Sequence, residues 1–472
     1  MDWSCQCDFA DVDHDGDDDL MHSSYGQAFS GAVMSRMFLN NGGFFSEYNP
    51  SAQISGNPNI APGSGAGFLE GQHQTNTTDT TGLFHDIANV SLDVDFADFD
   101  GDFDNDIQAS SRDTQQRIFQ SRWYENGESY GNEVATTRLY RDVTGSWLLG
   151  PGGLAQLPGA NYDNDFHDMD NDSDVDGYFL GYIGTQDRWA VNDGSGHFQS
   201  FQTVPNSAND DNETDWHDFD HDGDVDPFIS AFSGADRFYK NQYVETSSIN
   251  LTEVQLGQGL GVQTLGSDMG DMDNDGDIDI ICAEDSGQNE VLLRNNINVP
   301  DPIAPRIDQI QQLAPGNPSS TPRRIISRVW DNINFEYMKQ ATGTLNFTVN
   351  GNPHSAHAKY TGGNLWRSVI PGYFYGNISY SLTVSDRVGN AGTSAVKAVV
   401  IPLQGFTTFG TDLPGCHGAH VLGVGTAPTV NNPEFSMTCT GGPASSMSLC
   451  LVTDSQGRAS TSLVSESRSG PM

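Results

Sequence analysis

A nine-residue run with aspartate at positions 1, 3, 5, 7 and 9 occurs five times in this 472-residue chain. The copies, numbered loops 1 to 5 in chain order, read DVDHDGDDD, DFDGDFDND, DMDNDSDVD, DFDHDGDVD and DMDNDGDID and begin at Asp11, Asp98, Asp168, Asp218 and Asp271. So many carboxylates repel one another and cannot enter a packed core without a counterion. The runs are therefore either solvated acidic turns or cation-binding loops. Their regular alternation with strand-like segments favours cation-binding loops.

The residues before each loop follow a period of two. A large apolar side chain stands two positions before each loop, and an acidic residue stands one position earlier still. This alternation is typical of a β-strand with one buried face, so the sequence predicts a strand that leads into every loop. The acidic residues of this register are Asp8, Asp95, Asp165, Asp215 and Asp268.

The spacing of the loops indicates a repeat. The loops begin 87, 70, 50 and 53 residues apart, and a period of about 50 corresponds to one four-stranded propeller blade. We therefore expect insertions in the two long intervals, around 50–82 and 111–135. Two strands flank each loop, and a third strand follows them. This third strand usually begins with an arginine. We expect this arginine to form a salt bridge between strands or between blades. The predicted third strands start at 36, 138, 188, 237 and 291.

The loops have the chemistry of a calcium site. Calcium takes roughly six to eight oxygen ligands in a flexible cage, whereas magnesium demands a stricter octahedron. We expect side chains from positions 1, 3, 5 and 9 and a backbone carbonyl from position 7 to bind up to five Ca²⁺ ions. The aspartates assigned to these sites are Asp11, Asp13, Asp15, Asp17 and Asp19; Asp98, Asp100, Asp102, Asp104 and Asp106; Asp168, Asp170, Asp172, Asp174 and Asp176; Asp218, Asp220, Asp222, Asp224 and Asp226; and Asp271, Asp273, Asp275, Asp277 and Asp279.

Glycine at position 6 would permit a left-handed turn around the ion. Loops 1, 4 and 5 have this glycine, whereas loop 3 has Ser173 and loop 2 has Phe103. A bulky side chain disfavours the left-handed region. The sequence therefore predicts the best ion binding at loops 1, 4 and 5 and the weakest at loop 2.

The charge of the chain excludes several classes of partner. Asp and Glu number 63 against 21 Lys and Arg, which gives a formal net charge of −42. Such acidity argues against nucleic acid and anionic membrane surfaces as partners. No apolar run approaches the ~18 residues that a membrane helix needs, so we expect no membrane insertion. The start, MDWSCQCDFADVD, has no leader pattern. We expect that the protein is secreted or lies on the cell surface, and that its native start is missing from this sequence.

The composition changes at Pro300. We assign residues 1–299 to a calcium-binding propeller, 300–319 to a linker, 320–402 to a β-sandwich and 405–472 to a small, incomplete β module. Short strands and an Asn350-Gly351 turn are typical of a sandwich. Cys439 and Cys450 either close a hairpin disulfide or remain free thiols.

These residues resemble the FG-GAP/VCBS repeat family over roughly residues 8–298. The segment DMDNDSDVDGYFLGY followed by RWAVNDGSGHF (168–198) is similar to one full repeat. The resemblance implies a β-propeller like those of integrin α-chain heads, with five visible repeats and up to seven blades. Residues 320–402, with VSDRVGN, resemble a bacterial Ig-like or fibronectin-like module. The tail from 409 resembles C-terminal modules of planctomycete secreted proteins.

No catalytic motif is visible. The chain has no H-E-x-x-H, no G-x-S-x-G and no P-loop. We expect incidental polar roles for His354 and His357 and hydrogen bonding beside the loops for His167 and His217. The sequence therefore indicates an extracellular, non-catalytic scaffold for binding or adhesion, with an unknown protein or glycan ligand.

Two alternatives stay open at this point. One is a carbohydrate-active propeller, either a lectin or a polysaccharide lyase, with Trp123, Tyr124 and Tyr130 as candidate sugar-stacking residues. The other is a structural surface or matrix protein.

Overall fold

The computed structural model describes residues 6–23, 35–48, 92–110, 116–121, 140–150, 154–155, 162–255, 263–297, 300–315 and 322–402, and four short strands after residue 420. This part of the chain is all-β, which confirms the predicted fold class. The helices described in it are two single turns, α1 (Thr144–Trp147) and α2 (Tyr243–Thr246), and a 3-10 helix, Phe335–Gln340. None of these helices has the length and apolarity needed to cross a membrane.

Five small antiparallel sheets, blades 1 to 5, follow one another along the chain, and each contains one aspartate loop between its first two strands. Blade 1 consists of β1 (Cys7–Ala10), β2 (Asp19–His22), β3 (Arg36–Asn40) and β4 (Phe45–Glu47). Blade 2 consists of β5 (Val94–Ala97), β6 (Asp106–Ala109), β7 (Arg117–Ser121) and β8 (Tyr140–Asp142). A short hairpin, β9 (Leu149–Gly150) and β10 (Leu154–Ala155), follows it.

The other three blades repeat the pattern, and three strands of blade 5 are described. Blade 3 consists of β11 (Asn164–His167), β12 (Asp176–Phe179), β13 (Arg188–Val191) and β14 (Gln199–Thr203). Blade 4 consists of β15 (Asp210–His217), β16 (Asp226–Ser233), β17 (Arg237–Lys240) and β18 (Thr252–Val254). Blade 5 consists of β19 (Thr264–Gly270), β20 (Asp279–Glu284) and β21 (Val291–Leu293).

The blades form a propeller-like arrangement because their first strands lie side by side. β1 contacts β5, β5 contacts β11, β11 contacts β15, and β15 contacts β19. Apolar faces pack between successive blades: Met21 and Ile107 belong to one buried cluster, Tyr178 packs against Trp216, and Phe228 belongs to one cluster with Met269. The burial of these large side chains between sheets is the main force that holds the blades together.

The assignment of strands in blade 2 needs a correction. The sequence predicted that the third strand begins at 138, but β7 (Arg117–Ser121) is the third strand, and the RLYRD segment contributes the fourth, β8. The pattern was misleading because Ser121 stands where the other blades have asparagine. The predicted insertions lie mostly outside the described residues.

Residues 300–402, here called the second module, form an eight-stranded antiparallel sheet that is nearly closed into a barrel. Its strands are β22 (Arg306–Ile310), β23 (Arg323–Trp330), β24 (Thr342–Val349), β25 (Asn352–Tyr360), β26 (Leu365–Ile370), β27 (Gly376–Ser385), β28 (Ala391–Thr393) and β29 (Lys397–Ile401). The path runs β22-β23-β26-β25-β24-β27-β28, and β29 also pairs with β27. Strand β22 lies within the segment predicted as a linker, so part of that segment belongs to the sheet.

Alternation along the strands builds the core of the second module. Every second residue of β27 is buried, from Ile378 to Val384, as expected for a strand with one face inside. The Asn350-Gly351 turn joins β24 to β25 with φ of 51° and 85°, which confirms the predicted hairpin turn.

The second module shares a hydrophobic core with the propeller. Phe99 and Phe166 of blades 2 and 3 belong to the same buried cluster as Trp330 and Phe335 of the second module. His167 also stacks on Phe335 with ring centroids 5.1 Å apart. The two parts of the chain are therefore packed together rather than joined only by a tether.

Two further hairpins follow in the C-terminal part. They pair β30 (Val421–Val424) with β31 (Met437–Thr440) and β32 (Met447–Thr453) with β33 (Ala459–Ser465). Cys439 lies on β31 and Cys450 on β32, so the two cysteines belong to different sheets and not to one hairpin.

Candidate metal centres

Each aspartate loop wraps through two left-handed residues, at positions 4 and 6. At position 6, φ is 107° for Gly16, 102° for Gly223 and 101° for Gly276. Phe103 and Ser173 adopt the same turn, with φ of 77° and 78°. Loop 2 therefore has the same backbone shape as the other loops although Phe103 is disfavoured in it, and its weaker ion binding stays a prediction. The strain of about 1–2 kcal/mol at Phe103 is offset by the contacts of the whole loop.

The left-handed residue at position 4 escaped the sequence analysis. It is His14, Gly101, Asn171, His221 or Asn274, with φ between 55° and 76°. Glycine, asparagine and histidine are the residue types that tolerate this region best. The recurrence of these residue types at position 4 was the feature from which the sequence could have predicted this left-handed residue.

Backbone amides fix the first aspartate of every loop. In all five loops the N–H of position 6 donates to Oδ2 of position 1, over 2.9–3.1 Å. The N–H of position 7 donates in turn to Oδ1 of position 5, over 2.9–3.3 Å. These bonds hold the loop wrapped, with its carboxylates directed towards one point.

The aspartate at position 9 ties the loop to the third strand of its blade. Its Oδ2 accepts the N–H of position 2 over 3.0–3.2 Å. Its Oδ1 accepts a backbone N–H at or just after the end of the third strand, over 2.7–2.9 Å, from Asn40, Ser121, Asn192, Asn241 or Asn295. Position 9 thus has a structural role as well as a place in the candidate ion site.

The carboxylate oxygens converge as the loop chemistry requires. In loops 2, 3 and 4, oxygens from positions 1, 3 and 9 lie within 4.8 Å of one another, and in loop 1 the group comprises positions 1, 3 and 5. The groups are Asp98, Asp100 and Asp106; Asp168, Asp170 and Asp176; Asp218, Asp220 and Asp226; and Asp11, Asp13 and Asp15.

The side chain at position 7 contributes elsewhere. Asp17 accepts the N–H of Gly42, and Asp224 accepts the N–H of Val244, each over 2.8 Å. Both carboxylates therefore bind backbone of the same blade, outside the converging group. This arrangement agrees with the expectation that position 7 offers its carbonyl, and not its side chain, to an ion.

The burial and the raised pKa values of these carboxylates fit the binding of a hard divalent cation. Oδ1 of Asp11 and Oδ1 of Asp170 are buried and accept no hydrogen bond. Burial raises the pKa of Asp11 to about 7, of Asp168 to about 6 and of Asp218 to about 7. A buried carboxylate is costly to ionise without a compensating charge, and a divalent cation supplies that charge. The donors are all oxygens, the ligands that Ca²⁺ and Mg²⁺ prefer.

Basic side chains already lie over two of the loops. Lys240 of β17 places Nζ 2.8 Å from Asp222 and also contacts Asp220, which are positions 5 and 3 of loop 4. Arg294 contacts Asp273 and Asp275 in the same way in loop 5. Lys240 is the last residue of its third strand and Arg294 directly follows its own. Both would compete with an ion at loops 4 and 5, which the glycine at position 6 ranked among the best.

Asparagine side chains link neighbouring blades at the loops. Nδ2 of Asn192 donates to the carbonyl of Phe99 over 2.7 Å, and Nδ2 of Asn241 donates to that of Met169 over 2.9 Å. Nδ2 of Asn295 likewise donates to the carbonyl of Phe219, over 3.1 Å. Each bond connects one blade to position 2 of the preceding loop. The sequence analysis did not predict these bonds between blades.

The predicted salt bridge between blades is present at Arg237. Its guanidinium lies 2.5 Å from Asp211 of its own blade and 3.8 Å from Asp187 of blade 3. The hydroxyl of Tyr178 donates to the same Asp187. All four groups are buried, so the arginine neutralises carboxylates inside the interface.

A further acidic group lies at the first strands of blades 2 and 3, outside the loops. Oxygens of Asp93, Asp95 and Asp163 lie within 4.8 Å of one another. Burial, and then the neighbouring carboxylates, raise the pKa of Asp95 and of Asp163 well above its usual range. The register in the sequence identified Asp95 but not its two partners.

The histidines are accounted for by packing. His354 stacks on Phe347, with ring centroids 5.3 Å apart. Nε2 of His167 bonds to the carbonyl of Ile333, and its Nδ1 accepts the N–H of Asp168. This pattern agrees with the hydrogen bonding expected for His167. His217 differs, because both of its ring nitrogens are buried without a hydrogen-bond partner among the described residues, and its ring packs edge-on against Phe219 with centroids 5.2 Å apart. Trp123, Tyr124 and Tyr130 lie outside the described residues.

Comparisons with known proteins identify no family for this chain. No protein-family model matches the chain, and no curated protein matches it. Among solved structures, the chain is similar to the crystal structure of the V. cholerae biofilm matrix protein Bap1, with 11% identity and a TM-score of 0.22. That similarity covers 64% of this chain and 72% of the other. At this TM-score the similarity carries no argument about either fold or function.

Proposed function

We propose that this protein is an extracellular calcium-binding scaffold that acts by binding or adhesion and not by catalysis. The observation that carries the proposal is that the aspartate loops of four successive blades each bring oxygens of three carboxylates within 4.8 Å of one another. Five such loops in one register are a strong signal for a shared ligand, because each places its carboxylates against their mutual repulsion.

The donor set favours calcium over other metals. The four loop groups contain carboxylates without histidine or cysteine, which zinc and copper sites prefer. The loops wrap over nine residues and offer carbonyls as well, and such a flexible oxygen cage suits Ca²⁺ better than the strict octahedron of Mg²⁺. Five Ca²⁺ ions, each of charge +2, would bring the formal charge from −42 to −32.

An ion in a loop would join the first two strands of its blade. Asp168 lies directly after β11, and Asp176 is the first residue of β12. Neutralisation of these carboxylates would remove the repulsion between the two strand ends. The ions are therefore expected to staple the blades, and the ligand of the scaffold, a protein or a glycan, is expected to bind elsewhere.

Isothermal titration of the metal-free protein with Ca²⁺ and with Mg²⁺ tests the proposal. We expect several calcium ions to bind per chain, up to five, and magnesium to bind at least about tenfold more weakly. The double variant Asp168→Asn, Asp170→Asn should lose one ion, whereas Asp285→Asn, outside the loops, should lose none. A calorimeter that records no calcium binding would refute the metal assignment.

The non-catalytic assignment has its own test. The calcium-loaded protein should release no unsaturated products from a panel of polysaccharides, as followed by ultraviolet absorbance. Steady turnover of any member of the panel would contradict the assignment and restore the lyase alternative.

A further inference from the structure

The second module contacts the first aspartate of every loop, and it contacts the same atom each time. That atom is Oδ2, which also accepts the N–H of position 6. The contacts are Arg367 with Asp11 at 3.7 Å, Arg328 with Asp98 at 3.8 Å, Asn332 with Asp218 at 3.2 Å, Arg306 with Asp168, and Arg387 with Asp271.

The two oxygens of this aspartate therefore have different surroundings. In loop 1, Oδ2 of Asp11 faces Gly16 and Arg367, whereas Oδ1 is buried and accepts no hydrogen bond. In loop 1 the second module binds the outer oxygen and leaves the inner oxygen for an ion. In loops 2 to 5 the inner oxygen, Oδ1, also accepts the N–H of position 5, over 2.9–3.1 Å, so an ion there would share it with that amide. One carboxylate can in this way hold an ion on one side and a guanidinium on the other.

Other donors of the second module bind loop backbone. Arg324 donates to the carbonyl of His14 over 2.9 Å, Arg367 to that of Asp15 over 3.2 Å, and Lys359 to that of Gly16 over 3.1 Å. Three consecutive carbonyls take these positions only when loop 1 is wrapped through its left-handed residues. The second module thus recognises the conformation of the loop as well as its charge.

We propose that docking of the second module on the propeller is coupled to the occupancy of the loops by divalent cations. Loaded loops hold their outer oxygens and carbonyls where the donors of the second module bind them. Loss of the ions lets the clustered carboxylates repel one another and open the loops, which loosens the second module. This inference rests on the proposed calcium binding.

Electrostatics alone does not decide the direction of the coupling. The aspartates at positions 1, 3, 5, 7 and 9 of a loop carry a formal charge of −5, so with one Ca²⁺ they keep a charge of −3 and still attract arginine. Direct repulsion between the ion and the guanidinium acts in the opposite sense. The coupling we propose requires that ordering of the loop outweighs this repulsion.

Hydrogen exchange of the full-length protein, with and without Ca²⁺, measures the docking. The N–H of Asn334 donates to the carbonyl of Trp216, so this amide of the second module is protected by the propeller. We expect calcium to slow its exchange by on the order of tenfold. Exchange in β24, inside the second module, should stay the same. Unchanged or faster exchange at Asn334 on calcium binding would overturn the inference.

Variants of the contacting arginines give a second, independent readout. Coupling is reciprocal, so weaker docking must also weaken calcium binding. The triple variant Arg306→Gln, Arg367→Gln, Arg387→Gln should bind calcium on the order of tenfold more weakly, with fast exchange at Asn334 even in calcium. Arg323→Gln is the matched control, because Arg323 bonds to Pro371 inside the second module.

The outcomes separate the two proposals. Wild-type protein that binds no calcium would refute the proposed function. Wild-type protein that binds calcium, combined with tighter calcium binding by the triple variant, would show that repulsion dominates, and this outcome would refute the coupling alone.

Discussion

Asn332 of the second module and Asp218 of loop 4 bond to each other in both directions. Nδ2 of Asn332 donates to Oδ2 of Asp218 over 3.2 Å, and the backbone N–H of Asp218 donates to the carbonyl of Asn332 over 3.0 Å. Both residues are buried. At this loop a neutral amide takes the place that arginines take at the other four, so geometry as well as charge holds the second module on the loops.

Replacement of Asn332 by alanine should destabilise the protein measurably. The change removes the side-chain bonds to Asp218 and Asp301, keeps the backbone bond, and leaves a buried carboxylate oxygen with fewer donors. We expect a loss of about 1–3 kcal/mol in the free energy of unfolding, measured by urea denaturation in calcium. Asn296→Ala, at an exposed amide, should cost less than about 0.5 kcal/mol, and equal effects would contradict the account.

The asparagine hydrogen bonds between blades should also contribute measurably to the free energy of unfolding. Asn241→Ala removes a fully buried bond from blade 4 to the carbonyl of Met169 in blade 3. A decrease of about 1–2 kcal/mol in unfolding free energy is expected from the same denaturation experiment. Asn40, at the equivalent place in blade 1, bonds to Asp18 of its own loop, and its alanine variant should lose less.

The left-handed turn at position 6 can be tested where there is open space. Gly223 has φ of 102°, and a Cβ there would meet no atom closer than 3.8 Å. Gly223→Ala should therefore cost about 1 kcal/mol or more through backbone strain alone. Gly270→Ala is the control, because that glycine has open space and no positive φ. Thermal unfolding that is equal for the two variants would argue against the strain.

Stability of the metal-free protein should fall as the pH rises. Burial raises the folded-state pKa of Asp11 and of Asp218 to about 7, above the ordinary value near 3.8. The folded protein then binds more protons than the unfolded chain, so this stability is complete below about pH 4 and is lost as the pH rises to about 7. Calorimetry of metal-free protein should show a lower melting temperature at pH 7.5 than at pH 5. A rise instead would contradict these pKa directions.

Part of this structure could be predicted from the sequence, because the residues that specify these strands and turns lie close together in the chain. The period of two before Asp168 and the apolar run after Asp176 predict the two strands of blade 3, and the loop itself predicts its turn. The third strand of blade 2 was missed because Ser121 replaces the asparagine that marks it in the other blades.

The docking of the second module could not be predicted, because it joins distant segments. Arg306, Arg328 and Arg367 lie on three different strands, and only the folded sheet brings them to the loops. Strand β22 was missed for a related reason. It is short, it follows a proline-rich stretch, and it pairs with a strand more than ten residues away.

Calorimetric melting of the metal-free protein at increasing Ca²⁺ concentration tests the central claim most directly. Binding to the folded state alone stabilises it by about 2.7 kcal/mol per site when calcium is a hundredfold above its dissociation constant. We predict a melting temperature that rises steadily with calcium and much less with equal magnesium. Superimposable melting curves with and without calcium would contradict the claim that the five aspartate loops bind calcium and staple the blades.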